Sequence, residues 1–152
     1  MNDALKSALI SEDGLYRYWL TRIWGSGNVN LLPFVMLNPS IASAEIDDPT
    51  IRRCMGFAKR DGYDGIEVVN LYALRSTDPA KLWIADNPIG PENDKHIRAL
   101  AAYARRVNVP VVCAWGVNAA TGRAVNVMAM IAAEGAAMVC LGVTKYGHPR
   151  HP

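Results

Sequence analysis

The sequence predicts a three-layer α/β/α domain with a mainly parallel central sheet and an antiparallel strand ahead of it. Three observations carry this expectation. Short runs that are apolar throughout recur four times along 152 residues, as strands covered by helices on both faces require. Segments with helical spacing and recognisable start and stop residues alternate with those runs. An aromatic, β-branched stretch precedes the first of them. Alternation of this kind defines a sheet wrapped by helices. A single domain over 1–152 is expected, because the length suits one core and no linker, repeat or low-complexity segment interrupts it.

The elements follow in order. Leu15 to Trp24 is the antiparallel strand, and Gly25-Ser26-Gly27-Asn28 is a turn. Leu31 to Leu37 is the first buried run, ending at Asn38-Pro39-Ser40. Asp48-Pro49-Thr50 opens a helix with a capping carboxylate and a first-turn proline, after which Ile51, Cys54, Phe57 and Ala58 recur at helical spacing. Gly65 to Leu71 is the second buried run. Asn93 to Arg106 is a helix with Ile97, Leu100, Ala101 and Ala104 on one side and two arginines at its C-terminal end, where cations suit the dipole. Val109 to Trp115 is the third run, closing at Gly116; Arg123 to Glu134 is a helix stopping at Gly135; Ala136 to Leu141 is the fourth run, closing at Gly142.

Hydrophobic residues make up 51% and charged residues 20%, which excludes a disordered chain. The net charge of +2 admits nucleic acid as a partner without arguing for it. Cys54, Cys113 and Cys140 form neither a CxxC pair nor an even set, so no zinc site or disulfide frame is expected. Cys113 and Cys140, inside apolar runs, read as small core hydrophobes. The expected location is a reducing cytoplasm. Met1-Asn2-Asp3-Ala4-Leu5-Lys6-Ser7 lacks the apolar core of a signal peptide. No stretch approaches the roughly 20 apolar residues of a membrane span, so no membrane partner is expected.

In such sheets ligands bind beyond the carboxyl ends of the strands. The residues there are Asn38-Pro39-Ser40, Asn70-Leu71-Tyr72, Trp115-Gly116, and the tail Thr144-Lys145-Tyr146-Gly147-His148-Pro149-Arg150-His151-Pro152. Each has a structural reading beside a functional one. Asn38 before proline is a turn former or a site residue. Asn70 ends an apolar strand, where a buried amide needs partners and a ligand edge can supply them. His148 and His151 belong to a surface loop or to a site. Asp47-Asp48 is most simply a helix N-terminus. There is no GxGxxG, P-loop, GxSxG or HExxH pattern, and neither a cofactor nor a metal is expected.

Six segments carry a resemblance: Phe34 to Ser40, Asp48 to Cys54, Val68 to Arg75, Gly90 to Asp94, Cys113 to Gly116 and Gly147 to Pro152. Together they resemble the bacterial domain-of-unknown-function family 1643 over nearly the whole chain. The order of motifs is also similar to that of the uracil-DNA glycosylase superfamily, a small α/β fold with a parallel sheet. Asn38-Pro39 matches the first motif of its mismatch-specific and thymine glycosylase branch. Asn70 matches the asparagine that reads the flipped base. His148-Pro149 or His151-Pro152 matches the closing His-Pro.

That resemblance implies a glycosylase-like hydrolase acting on a nucleobase–sugar N-glycosidic bond. Asn38 would hold water, Asn70 would read the base edge, and His148 or His151 would stabilise the departing base. Pro39, Ser40, Gly116 and Lys145 would border the substrate, and Tyr72 or Trp115 would offer a stacking face. The implied partners are a nucleobase, a nucleotide or nucleic acid, single strands included. The alternative is a non-catalytic module that binds a nucleotide or modified base, and a third reading is a structural partner subunit. The chain departs from the superfamily in three respects: neither His-Pro is followed by serine, the Gln-Asp-Pro-Tyr form of the first motif is absent, and Pro152 leaves no room for the apolar wedge that enters a duplex.

Overall fold

Alternation along the central strands assigns their side chains to two cores on opposite faces of one sheet. The computed structural model describes residues 4–40 and 44–152; Met1 to Asp3 of the N-terminal segment read above lie outside the described residues. Among the described residues the strands are β1 (Leu5–Ile10), β2 (Arg17–Ile23), β3 (Leu31–Met36), β4 (Gly65–Asn70), β5 (Val111–Cys113) and β6 (Met138–Cys140). The helices are α1 (Pro49–Arg60), α2 (Asn93–Val107) and α3 (Thr121–Ala133), with a 3-10 turn at Pro79–Trp83. The strands form one mixed sheet in the order β1-β2-β4-β3-β5-β6.

On one face Val35, Val69, Val111 and Cys113 pack with Ile97, Leu100 and Ala101 of α2 and Val127 and Ile131 of α3. On the other, Phe34, Met36, Ile66, Val68 and Val112 pack with Ile51, Cys54 and Ala58 of α1. Each buried valine, leucine, isoleucine, phenylalanine or methionine among them contributes roughly 1.5–3 kcal/mol. Helices therefore cover both faces, as the doubly apolar runs of β3, β4 and β5 require.

Strands β3, β4, β5 and β6 are mutually parallel, whereas β2 runs antiparallel to both β1 and β4. Strand β1 is an addition to the strands expected from the sequence, its residues only half covered at the edge of the sheet. The register slips between β1 and β2, where Leu9 pairs with Trp19 but Ile10 pairs with Arg17. Tyr18 is thus an extra residue in a bulge. It stacks on His96 of α2 at 5.2 Å, on the side where Trp19 also packs, and Arg17 is turned toward α1.

One expectation is corrected at the far edge. The Ala136 to Leu141 run does form a strand, but Met138, Val139 and Cys140 are all exposed. Cys140 is therefore not a core hydrophobe, while Cys113 is buried. The reason is position: β6 is an edge strand with no further strand beside it.

Candidate ligand site at the carboxyl ends of the parallel strands

From β3 the chain crosses by α1 to β4 on one side, then by α2 to β5 on the other. Where successive crossovers leave in opposite directions, a crevice opens beyond the carboxyl ends of the strands. Here that switch lies between β3 and β5, next to the N-terminus of α1.

Asn38 stands two residues beyond β3, and its Nδ2 donates to Ser76 O at 2.9 Å, Pro39 O at 3.1 Å and Leu74 O at 3.5 Å. Buried Pro39 also accepts from Ser76 N at 3.0 Å. The amide nitrogen thus ties the β3 loop to the β4 loop and fixes the plane of the side chain. The Ser40 hydroxyl donates to Asp48 Oδ2 at 3.2 Å, and Asp48 Oδ1 accepts from Ile51 N at 2.8 Å, which caps α1. The segment before this cap is held against β1 and β2: Arg22 Nε donates to Asp47 Oδ1 at 2.6 Å, its Nη2 donates to Ala44 O, and Lys6 Nζ donates to Glu45 O at 3.0 Å.

Asn70 closes β4 opposite Met36. Two residues beyond Val68, its side chain shares the α1 face. It is 2% exposed, and neither Nδ2 nor Oδ1 has a hydrogen-bond partner among the described residues. Its own main chain is firmly held on the opposite face: Asn93 Nδ2 donates to Asn70 O at 2.9 Å and to Leu71 O at 3.2 Å, and Arg123 Nε donates to Leu71 O at 2.9 Å. Arg123 Nη2 also meets Asp94 Oδ1 at 2.7 Å, joining α2 to α3.

The two tail histidines separate. His148, whose amide donates to Thr144 Oγ1 at 3.1 Å, lines a cleft of about 370 Å³ under α3 with Trp115, Thr121, Val125, Met128 and Tyr146. The tail is then pinned by Gly116 N donating to Pro149 O at 2.9 Å, and the Cβ of His151 passes close over Gly116. His151 is exposed overall. Partial desolvation pulls its pKa below the usual imidazole value, Asp48 opposes that fall and Arg53 adds to it. Both of these charges belong to the N-terminal end of α1, the helix packed on the face that Asn70 shares.

Three expected contacts are not formed. Tyr72 is buried in the α2/α3 core, edge-on to Trp83 at 5.5 Å, with its hydroxyl accepting from Ala120 N at 3.3 Å. It offers no open stacking face. Trp115 belongs to the same core and borders only the α3 cleft among the described cavities. Lys145 is exposed on the outer turn of the tail, its ammonium 5.5 Å from the Tyr146 ring.

Two residues that sequence reading did not assign to the site stand in it. Asp48 is the cap the sequence announces, yet its charge also acts on His151 and Arg17. Arg17 is buried, with an unpartnered Nε. Desolvation pulls its pKa down to about 10 against the pull of Asp48. A cationic residue inside an aromatic strand was the available signal. Among the described residues, no group of three His, Cys, Asp or Glu side chains is placed to hold a metal ion, and no helix is long and apolar enough to cross a membrane.

The fold defines an α/β domain with a mixed six-stranded sheet whose topological switch is bordered by the polar residues Asn38, Asp48 and Asn70. Residues 17–152 match the model of a family described as protein of unknown function (DUF1643), and the chain belongs to that family. The match begins at β2 and leaves out β1. No curated protein matches the chain.

Proposed function

We propose that the chain is a glycosylase-like hydrolase acting on a nucleobase–sugar N-glycosidic bond. The observation that carries this reading is the Asn70 amide, buried at a strand end with both of its polar atoms unpaired. An unmade buried hydrogen bond costs about 1–3 kcal/mol, and native structures keep few of them without a reason. A base edge presents adjacent donor and acceptor groups, which an amide complements. The motif order shared with the uracil-DNA glycosylase superfamily supports the same role. Of its two candidate His-Pro matches, His151-Pro152 is favoured because the His151 imidazole feels the charge of Asp48 at the N-terminus of α1.

The remaining groups supply the chemistry. Asn38, held through its nitrogen by three carbonyls, presents Oδ1 to a water molecule. An amide does not take up the proton of that water; the Asp48 carboxylate does. Water oxygen bonds to the sugar carbon as the carbon–nitrogen bond breaks, and the bonding pair leaves on the base. The His151 imidazole donates a hydrogen bond to the departing base, a contribution commonly worth a few kcal/mol, roughly 3.

The test is base release from a panel of modified single-stranded, duplex and nucleoside substrates. Release by the wild-type chain that falls at least about 100-fold in Asn70→Ala is expected, as for a lost transition-state contact. If no member of the panel releases a base, while the same compounds raise the melting temperature, the crevice is a binding module and the hydrolytic reading fails.

A further inference from the structure

Three arginines are buried among the described residues: Arg17, Arg22 and Arg123. Two of them are fully accounted for. Arg22 has Asp47 and the carbonyls of Thr21 and Ala44; Arg123 has Asp94 and the carbonyl of Leu71. Arg17 differs. It is 3% exposed, its Nε has no hydrogen-bond partner, and no ion pair reaches its guanidinium among the described residues. A buried cation without its own carboxylate is costly, and the bulge at Tyr18 is what turns it inward. The position it is turned to matters. Its backbone N–H donates to Ala73 O at 2.9 Å, three residues past Asn70 and so at the carboxyl end of β4, and the carboxylate whose charge acts on it is Asp48, the cap of α1.

We infer that Arg17 is an anion-binding residue of this crevice and that the ligand is a nucleotide carrying a terminal phosphate monoester. The base-bearing half of this statement rests on the reading of Asn70 above; the phosphate half rests on Arg17 alone. A guanidinium offers a planar fork that fits phosphate oxygens, and the neighbouring helix N-terminus favours negative charge. A terminal monoester suits the site better than a strand backbone. Arg17 lies inside the fold, and a formal charge of +2 supplies no extended basic track for successive phosphodiesters.

The experiment measures the melting temperature of the full chain with inorganic phosphate alone, against chloride of equal ionic strength. It then measures binding of the deoxynucleoside 5′-monophosphates, the matching nucleosides, and a single-stranded trinucleotide without a terminal phosphate. Expected results are a phosphate-dependent rise in the wild type and monophosphates bound at least about tenfold more tightly than nucleosides. Both gains should be lost in Arg17→Met, with nucleoside binding retained. Arg17→Lys, which keeps the charge and guards against misfolding, should retain part of them.

No rise with phosphate, or an equal rise in Arg17→Met, overturns the proposal. Equal binding of nucleosides and monophosphates overturns it and leaves the base reading standing. An Arg17-dependent phosphate effect with no base-bearing ligand bound upholds the anion site and removes the base reading instead. Arg17-dependent binding of the trinucleotide moves the contact to a phosphodiester and overturns the monoester.

Discussion

Arg22 Nε lies 2.6 Å from Asp47 Oδ1, an ion pair in which the arginine side chain has no solvent exposure and the aspartate retains 20%. This pair joins β2 to the segment that enters α1. One residue further on, Asp48 caps the helix and accepts from the Ser40 hydroxyl. The candidate site therefore depends on a contact outside it: the cap is positioned because the chain before it is held.

Removing the aspartate should be costly. Asp47→Ala leaves Arg22 with its two carbonyl acceptors but no counter-charge, and breaking a buried pair from one side typically costs about 3–5 kcal/mol. About 3 kcal/mol is expected, because Asp47 keeps some solvent contact. Burial works to raise the Asp47 pKa, but the hydrogen bond and charge of Arg22, joined by Lys6, outweigh it and hold the carboxyl below its ordinary value. Its folded pKa being depressed, the stabilisation is complete above the unfolded value of roughly 4 and is lost as pH falls through the folded value. Urea titrations between neutral and acid pH should show a steep loss in the wild type and a flatter one in Asp47→Asn. Parallel curves would show that the pair does not govern acid stability.

Asn70→Leu should gain stability and lose function. The two side chains share a branched arrangement with the same number of heavy atoms, and the substitution deletes two unpaired buried polar atoms. A gain of about 1–2 kcal/mol is expected, together with loss of base release and of nucleoside binding. Denaturation alongside the release assay checks both. Destabilisation by a similar amount would mean that the amide is already satisfied in solution, and the argument from its unpaired atoms would collapse.

The parallel core was legible because Phe34, Val35, Val68 and Val69 are apolar on consecutive positions, which only a doubly covered strand tolerates. Strand β1 was not, since Leu5-Lys6-Ser7-Ala8 is a partly exposed edge whose partner supplies the order. Asn70 could be picked out as an amide ending an apolar run. Arg17 could not, because its inward direction follows from one extra residue in the register with β1. Asp48 was readable as a cap, but its reach to His151 depends on where the tail returns. Tyr72 shows the converse limit: an aromatic after a strand looks the same whether it will stack on a ligand or fill a core.

The placement of His151 can be checked by nuclear magnetic resonance titration of its imidazole. Partial desolvation lowers its midpoint, Asp48 counteracts this, and Arg53 reinforces it. Asp48→Asn should therefore move the midpoint further down, and Arg53→Gln should move it up. No movement of the midpoint in either variant would mean that His151 does not stand near the N-terminal turn of α1.

A pair of glycine substitutions tests the wall that holds β2 against the loop leading to α2. Gly90 has φ +92°, and a Cβ there would lie 3.0 Å from Tyr16 Cδ1 and 3.2 Å from Ala73 Cβ. Gly62 has a similar φ of +82° with no atom within 4 Å of the same position. Alanine in the left-handed region costs about 1–2 kcal/mol wherever it stands, so Gly62→Ala measures that cost alone. Gly90→Ala adds the displacement of a Tyr16 ring whose hydroxyl is fixed to Asn87 O at 2.8 Å, and overpacking of this kind adds about 1–3 kcal/mol. Chemical denaturation of the two variants should therefore differ by at least about 1 kcal/mol, with Gly90→Ala the less stable. Equal losses would show that Tyr16 yields freely and that the contact does not stiffen the β2 end, leaving the bulge itself as the restraint on Arg17.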